Sequence, residues 1–108
     1  MTVERWKKFS IDQQIMVIAN EMHRGLHSME LGQRESLQLV YERVLHMLEL
    51  TLQAAPPPSL RRELRIWREF VGGLYLAEAP DPPRHRETLK LLLQTRPALA
   101  DQVALLAL

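Results

Sequence analysis

Apolar residues recur at steps of three and four along four stretches of this chain, and the first three of them end at a glycine or a proline-rich break. That pattern leaves little room for anything but packed helices. In the first stretch, Ile11, Ile15, Ile18, Met22, Leu26 and Met29 fall on one side of a helix turning by about 100° per residue. Ser10 and Gln13 have the spacing of a capping box, so the helix is expected to start there, and Gly32 is the expected stop. A second helix is predicted from Gln33 to Ala54, with Leu37, Val40, Tyr41, Val44, Leu48 and Leu52 inside. Glu35, Glu42 and Glu49 recur every seven residues on its far side and read as solvated surface.

Pro56-Pro57-Pro58 ends that helix, because proline lacks the N–H and clashes with the preceding turn. Ser59 is the expected N-cap of the third, with Leu60, Leu64, Trp67, Val71 and Leu74 on its inner face. Gly72-Gly73 within it costs about 1 kcal/mol per glycine relative to alanine, which predicts either a bend or a close neighbouring backbone. Pro80, Pro82 and Pro83 form the next break. Leu89, Leu92 and Leu93 follow, then Leu99, Val103 and Leu106; Pro97 is expected to divide this segment, with Thr95 capping a short last helix. The reading is an all-α, antiparallel bundle of four main helices, with a short fifth allowed at the C-terminus, forming a single domain over residues 1–108.

Composition narrows the function. Hydrophobic residues make up 46% of the chain and charged residues 25%, which suits a packed globule and excludes a disordered chain. A net charge of +1 gives no overall field toward nucleic acid or membrane, so such binding needs a local patch. With no cysteine there is no disulfide, zinc ribbon or thiol nucleophile. No stretch has the roughly 18 apolar residues of a membrane span, and the first eight residues lack the run of a signal peptide. A cytoplasmic location without membrane attachment is the expectation.

No catalytic residue is assigned. G-x-S-x-G, a phosphate-cradling glycine loop, H-E-x-x-H and the E-x-x-H of di-iron bundles are all absent. His23 and His27 stand one turn apart, with Glu30 on the next turn, so a metal site is conceivable on chemistry alone. Against it, Gly25 weakens the helical platform, and two partly exposed histidines at the edge of the core stripe are the plainer reading. Arg61, Arg65 and Arg68 share a flank of the third helix, and Arg84 and Arg86 open the last segment. These could track RNA phosphates, yet Glu63 and Glu69 are interspersed and no aromatic is placed to stack bases. Trp6 and Phe9 lie outside the first stripe and are expected to fold back over the open end of the bundle.

Trp6-x-x-Phe9-Ser10-x-x-x-Gln14-Ile15, followed by Ala19-Asn20-Glu21-x-x-Arg24, resembles a family of short bacterial proteins. In that family a tryptophan precedes Leu-Ser, a Gln-Leu pair and a Ser-Glu-x-x-Arg segment. Tyr41-Glu42-Arg43-Val44-Leu45-x-x-Leu48-Glu49-Leu50-Thr51 is similar to its F-E-R-A-L-E-L-I-D-L-T, and Leu64-Arg65-x-Trp67-Arg68-Glu69-Phe70 to its L-x-R-x-R-E. The likeness spans about residues 6–78; the proline-rich break and the leucine-rich tail depart from it. It implies an all-helical fold with no assigned activity. It also implies interest in Glu21, Arg24, Glu42, Arg43, Arg68 and Glu69, either as ion pairs between helices or as the lining of a cleft. Small helical nucleases of toxin–antitoxin systems are similar in size, but their R-x(4–6)-H signature is missing: Arg24 precedes His27 by three, as Arg43 does His46.

The leading expectation is therefore a non-enzymatic interaction module without cofactor that pairs as a homodimer or takes a protein partner. Leu99, Val103, Leu105, Leu106 and Leu108 form its expected association surface, because a terminal helix apolar on two sides needs two partners. An RNA-associated bundle using the arginine flank is the alternative.

Overall fold

The computed structural model describes all 108 residues, and every regular element is helical. In chain order these are α1 (Val3–Trp6), α2 (Ile11–Glu30), α3 (Arg34–Gln53), α4 (Pro58–Leu76), α5 (Pro82–Gln94), a 3-10 turn (Pro97–Leu99) and α6 (Gln102–Leu105). The four long helices have 20, 20, 19 and 13 residues. α2 packs on α3 and α5, and α4 packs on the same two, so the four close a ring around one core.

The stripes read from the sequence supply that core. Ile15, Ile18 and Met22 from α2 meet Val40, Val44 and Leu48 from α3. Leu64, Trp67 and Val71 of α4 and Leu89, Leu92 and Leu93 of α5 complete it. Glu35, Glu42 and Glu49 are exposed. Ser10 makes both halves of the capping box: its hydroxyl accepts from the Gln13 N–H at 3.1 Å and its own N–H donates to Gln13 Oε1 at 2.8 Å. Gly32 has φ +65°, the left-handed conformation expected of it after α2.

Several local expectations are corrected. Ser59 does not cap α4; Pro57 does, and Pro58 takes the first turn, where its missing N–H costs nothing and its fixed φ suits a helix. Thr95 does not start a helix either. It follows α5 as the C-cap residue, its hydroxyl donating to the Leu92 carbonyl at 2.6 Å, and its chain leads into the 3-10 turn. Gly72 and Gly73 lie inside an unbroken α4, and nothing comes within 4 Å of the place where a Cβ would stand at either. No neighbour within the chain explains them. Leu108 does not point outward but packs partly against the core with Val103 and Leu106.

One short helix carries no periodic signal in the sequence. α1 is a single turn that plugs Trp6 into the end of the bundle, leaving it 1% exposed. The indole N–H donates to Thr51 Oγ1 on α3 at 2.8 Å. Gln14 on α2 holds the connection by donating from Nε2 to the carbonyls of Trp6 and Phe9, at 3.2 and 3.1 Å. Phe9 lies edge-on to Trp6 with ring centroids 5.7 Å apart. Both aromatics thus fold back over the bundle end, Phe9 more exposed than Trp6.

Candidate functional site

In its first turns α5 contributes a buried histidine that the sequence shows only as the residue between Arg84 and Arg86. His85 is fully buried. Its Nε2 lies 2.6 Å from the Met22 carbonyl of α2, and its Nδ1 lies 2.7 Å from the Tyr41 hydroxyl of α3. A carbonyl only accepts, so Nε2 carries the proton, Nδ1 is the acceptor, and Tyr41 donates to it. Burial pushes His85 below the ordinary imidazole value of 6.5, against the opposing pull of the Met22 carbonyl; the charges of Arg86 and His23 push the same way as burial. Burial also raises the Tyr41 hydroxyl, with the Asp81 carboxylate adding to it. Both groups are therefore held neutral, and the pair fastens three helices together. The sequence signal was there in Gly25: a Cβ at that position would sit 2.9 Å from His85 Cε1 and 3.2 Å from Val40 Cγ1.

His23, His27 and Glu30 line one groove on the outside of α2. His27 Nδ1 is 3.9 Å from Glu30 Oε2. No three His, Cys, Asp or Glu side chains converge closely enough to hold a metal ion, these three included. Instead Arg24 of α2 and Arg86 of α5 line the same groove, and two guanidinium groups repel a divalent cation.

The acidic and basic residues implied by the family resemblance separate into two places. Glu21, nearly buried on α2, accepts from Arg43 Nε of α3 at 2.6 Å, and Arg24 approaches it at 3.5 Å. Arg68 of α4 instead meets Glu49 of α3 at 3.0 Å. Glu42 and Glu69 are exposed and form no ion pair. A further clasp, Arg96 to Asp12 at 2.6 Å, ties the segment after α5 to the first turn of α2; a separation of 84 residues hid it from sequence reasoning.

The arginines considered for RNA do not form one patch. Arg61 is half-buried and Arg65 exposed on the first turns of α4, Arg68 is engaged by Glu49, and Arg84 and Arg86 stand at the start of α5. Glu63 of α4 shares a groove with Gln94 and Thr95, so the last turn of α5 lies beside the early turns of α4. Arg84 and Arg86 are consequently at the far end of α5 from Arg61 and Arg65.

That shared groove is lined mainly by apolar side chains. It encloses about 290 Å³ between α4 and α5, over Trp67. Ile66, Phe70 and Leu91 form its walls and are 54%, 46% and 37% exposed. Of the tail residues expected to mediate association, Leu99 is buried, Val103, Leu106 and Leu108 are partly covered, and Leu105 alone stands well out at 74%.

No helix is long and apolar enough to cross a membrane. Comparison of the chain with models of known protein families, with curated proteins and with solved structures gives no match.

Proposed function

We propose that this protein is a non-enzymatic interaction module, an antiparallel four-helix bundle that pairs with a second copy of itself through the α4–α5 face. The carrying observation is the groove walled by Ile66, Phe70 and Leu91, whose large apolar side chains stand in solvent beside a fully formed core. The face suits a second copy because its charges are of both signs: Glu63 lines the groove, Arg62 and Glu69 stand one turn to either side of Ile66 on α4, and Lys90 lies 4.0 Å from Glu87 on α5. A two-fold interface must be complementary to itself, and a single-sign rim would repel. Gly73 adds to this reading. It follows Phe70 by one turn, is exposed, and leaves room for another helix to come close.

Within this reading the Pro97–Leu108 tail has a smaller part than its sequence implied, since much of its apolar surface is spent internally and Leu105 remains. Kinship with the short bacterial helical family, and a cytoplasmic setting, belong to the same proposal. RNA binding through Arg61, Arg65 and Arg68 is the weaker alternative, because Glu49 holds Arg68 and Arg61 is half-buried, which leaves few cations free for phosphates.

Light scattering coupled to size-exclusion chromatography tests it, using the wild type, Phe70→Asp and Leu105→Asp. The expected result is a dimer at about 100 µM that Phe70→Asp converts to a folded monomer while Leu105→Asp does not. A wild type that is monomeric there refutes the proposal. Dissociation by Leu105→Asp alone moves the interface to the tail.

A further inference from the structure

We propose that the groove between α2, the start of α5 and the C-terminal tail binds a small organic anion, a phosphate monoester carried on an apolar or aromatic body. The groove encloses about 470 Å³, within the roughly 300–1,000 Å³ range of small-molecule sites. Its polar wall is basic: His23 and Arg24 are neighbours on α2, His27 follows one turn on, and Arg86 joins them from α5. Glu30 is the single carboxylate on that wall, 3.9 Å from His27. Leu26 adds a buried apolar side chain from α2 between the two histidines, and Leu106 and Ala107 of the tail supply the apolar wall.

The two halves of the groove divide the recognition. Guanidinium groups on two different helices can take separate oxygens of one tetrahedral phosphate, and charge-assisted contacts of this kind are about twice as strong as neutral ones. Arg86 has no carboxylate partner within the chain, so its charge is available, whereas Arg24 reaches Glu21 only at 3.5 Å with its side chain 70% exposed. The imidazoles of His23 and His27 add donors on the same side. Leu106 and Ala107 offer an apolar surface that inorganic phosphate would not use. The site is separate from the α4–α5 face: it lies at the first turns of α5, whereas Leu91, Gln94 and Thr95 of the other groove lie at its end.

Histidine side-chain NMR during titration with phenyl phosphate, inorganic phosphate and benzoate tests the assignment. The expected result is movement of the His23 and His27 ring signals by phenyl phosphate, with binding about tenfold weaker for inorganic phosphate and for benzoate. Arg86→Gln, checked for an unchanged helical spectrum, should weaken phenyl phosphate about tenfold, and Arg65→Gln on α4 should not. No movement with any of the three, or equal weakening by Arg65→Gln, overturns the site. An equal response to inorganic phosphate overturns the part played by the apolar wall, and an equal response to benzoate overturns the choice of phosphate.

Discussion

The ring of His85 occupies the space that a side chain at position 25 would need: its Cε1 is 2.9 Å from where a Cβ of Gly25 would stand. The missing side chain lets α5 place an imidazole against the backbone of α2, where Nε2 reaches the Met22 carbonyl at 2.6 Å. Helix propensity alone favours Gly25→Ala by about 1 kcal/mol. Overpacking opposes it by about 1–3 kcal/mol, and the ring cannot swing aside without giving up hydrogen bonds at both nitrogens. Gly25→Ala should therefore lower stability in urea unfolding, and should cost less when introduced into His85→Ala, where the ring is gone, than into the wild type.

The same ring makes stability depend on pH. His85 takes up its proton less readily in the folded protein than in the unfolded chain, whose imidazole sits near the ordinary value of 6.5. Below that value the unfolded state binds the extra proton and is favoured. The contribution of the neutral ring is thus complete above about pH 6.5 and is lost as pH falls toward the lower folded value. Melting temperature should fall from pH 7 to pH 5, and the slope should be shallower in His85→Gln. Tyr41→Phe removes the donor to Nδ1 and leaves that buried nitrogen without a partner, which costs about 1–3 kcal/mol. Equal melting temperatures for Tyr41→Phe and the wild type would show that the bond contributes nothing.

These relationships also mark what the sequence could and could not convey. The stripes of α2, α3 and α4 were legible because burial follows a local period, and Leu60, Leu64, Trp67, Val71 and Leu74 are all buried as that period requires. Ser10 and Gln13 were legible for the same reason, since a capping box is complete within four residues. His85 was not, because it stands between Arg84 and Arg86 in a run that reads as charged surface, and its partners are 44 and 63 residues away. Prolines that open helices misled the cap assignments, Pro58 displacing Ser59. The exposed wall of Ile66 and Phe70 was equally hidden: each residue is ordinary on a helix, and only the approach of Leu91 from α5 makes them one surface.

Trp6 offers a test of how α1 is held. Its indole N–H has one acceptor, Thr51 Oγ1 at 2.8 Å, at a fully buried position. Thr51→Val keeps the shape and removes the acceptor, so the N–H is buried unpaired at a cost of about 1–3 kcal/mol. Thr51→Ser keeps the hydroxyl and should cost less. The expected readout is lower global stability in Thr51→Val, together with a Trp6 indole proton that exchanges faster with solvent. Wild-type exchange in Thr51→Val would mean that packing alone holds the ring.

Gly72 and Gly73 separate folding from association. Neither has a neighbour within 4 Å of its would-be Cβ, and neither adopts a positive φ, so alanine fits both positions in the isolated chain. Each substitution should then stabilise α4 by about 0.5–1 kcal/mol, the ordinary difference between glycine and alanine inside a helix. Self-association should respond differently. Gly73 is exposed one turn from Phe70, where a partner helix would approach, while Gly72 is half-buried on the neighbouring face. Gly73→Ala is expected to raise the melting temperature of the monomer and to weaken the dimer by about tenfold, close to 1.4 kcal/mol. Gly72→Ala is expected to raise the melting temperature and leave the dimer within about a factor of two. Sedimentation equilibrium on both variants decides the matter: if Gly73→Ala dimerises as tightly as the wild type, no helix closes on that glycine, and its place in α4 is without a structural reason.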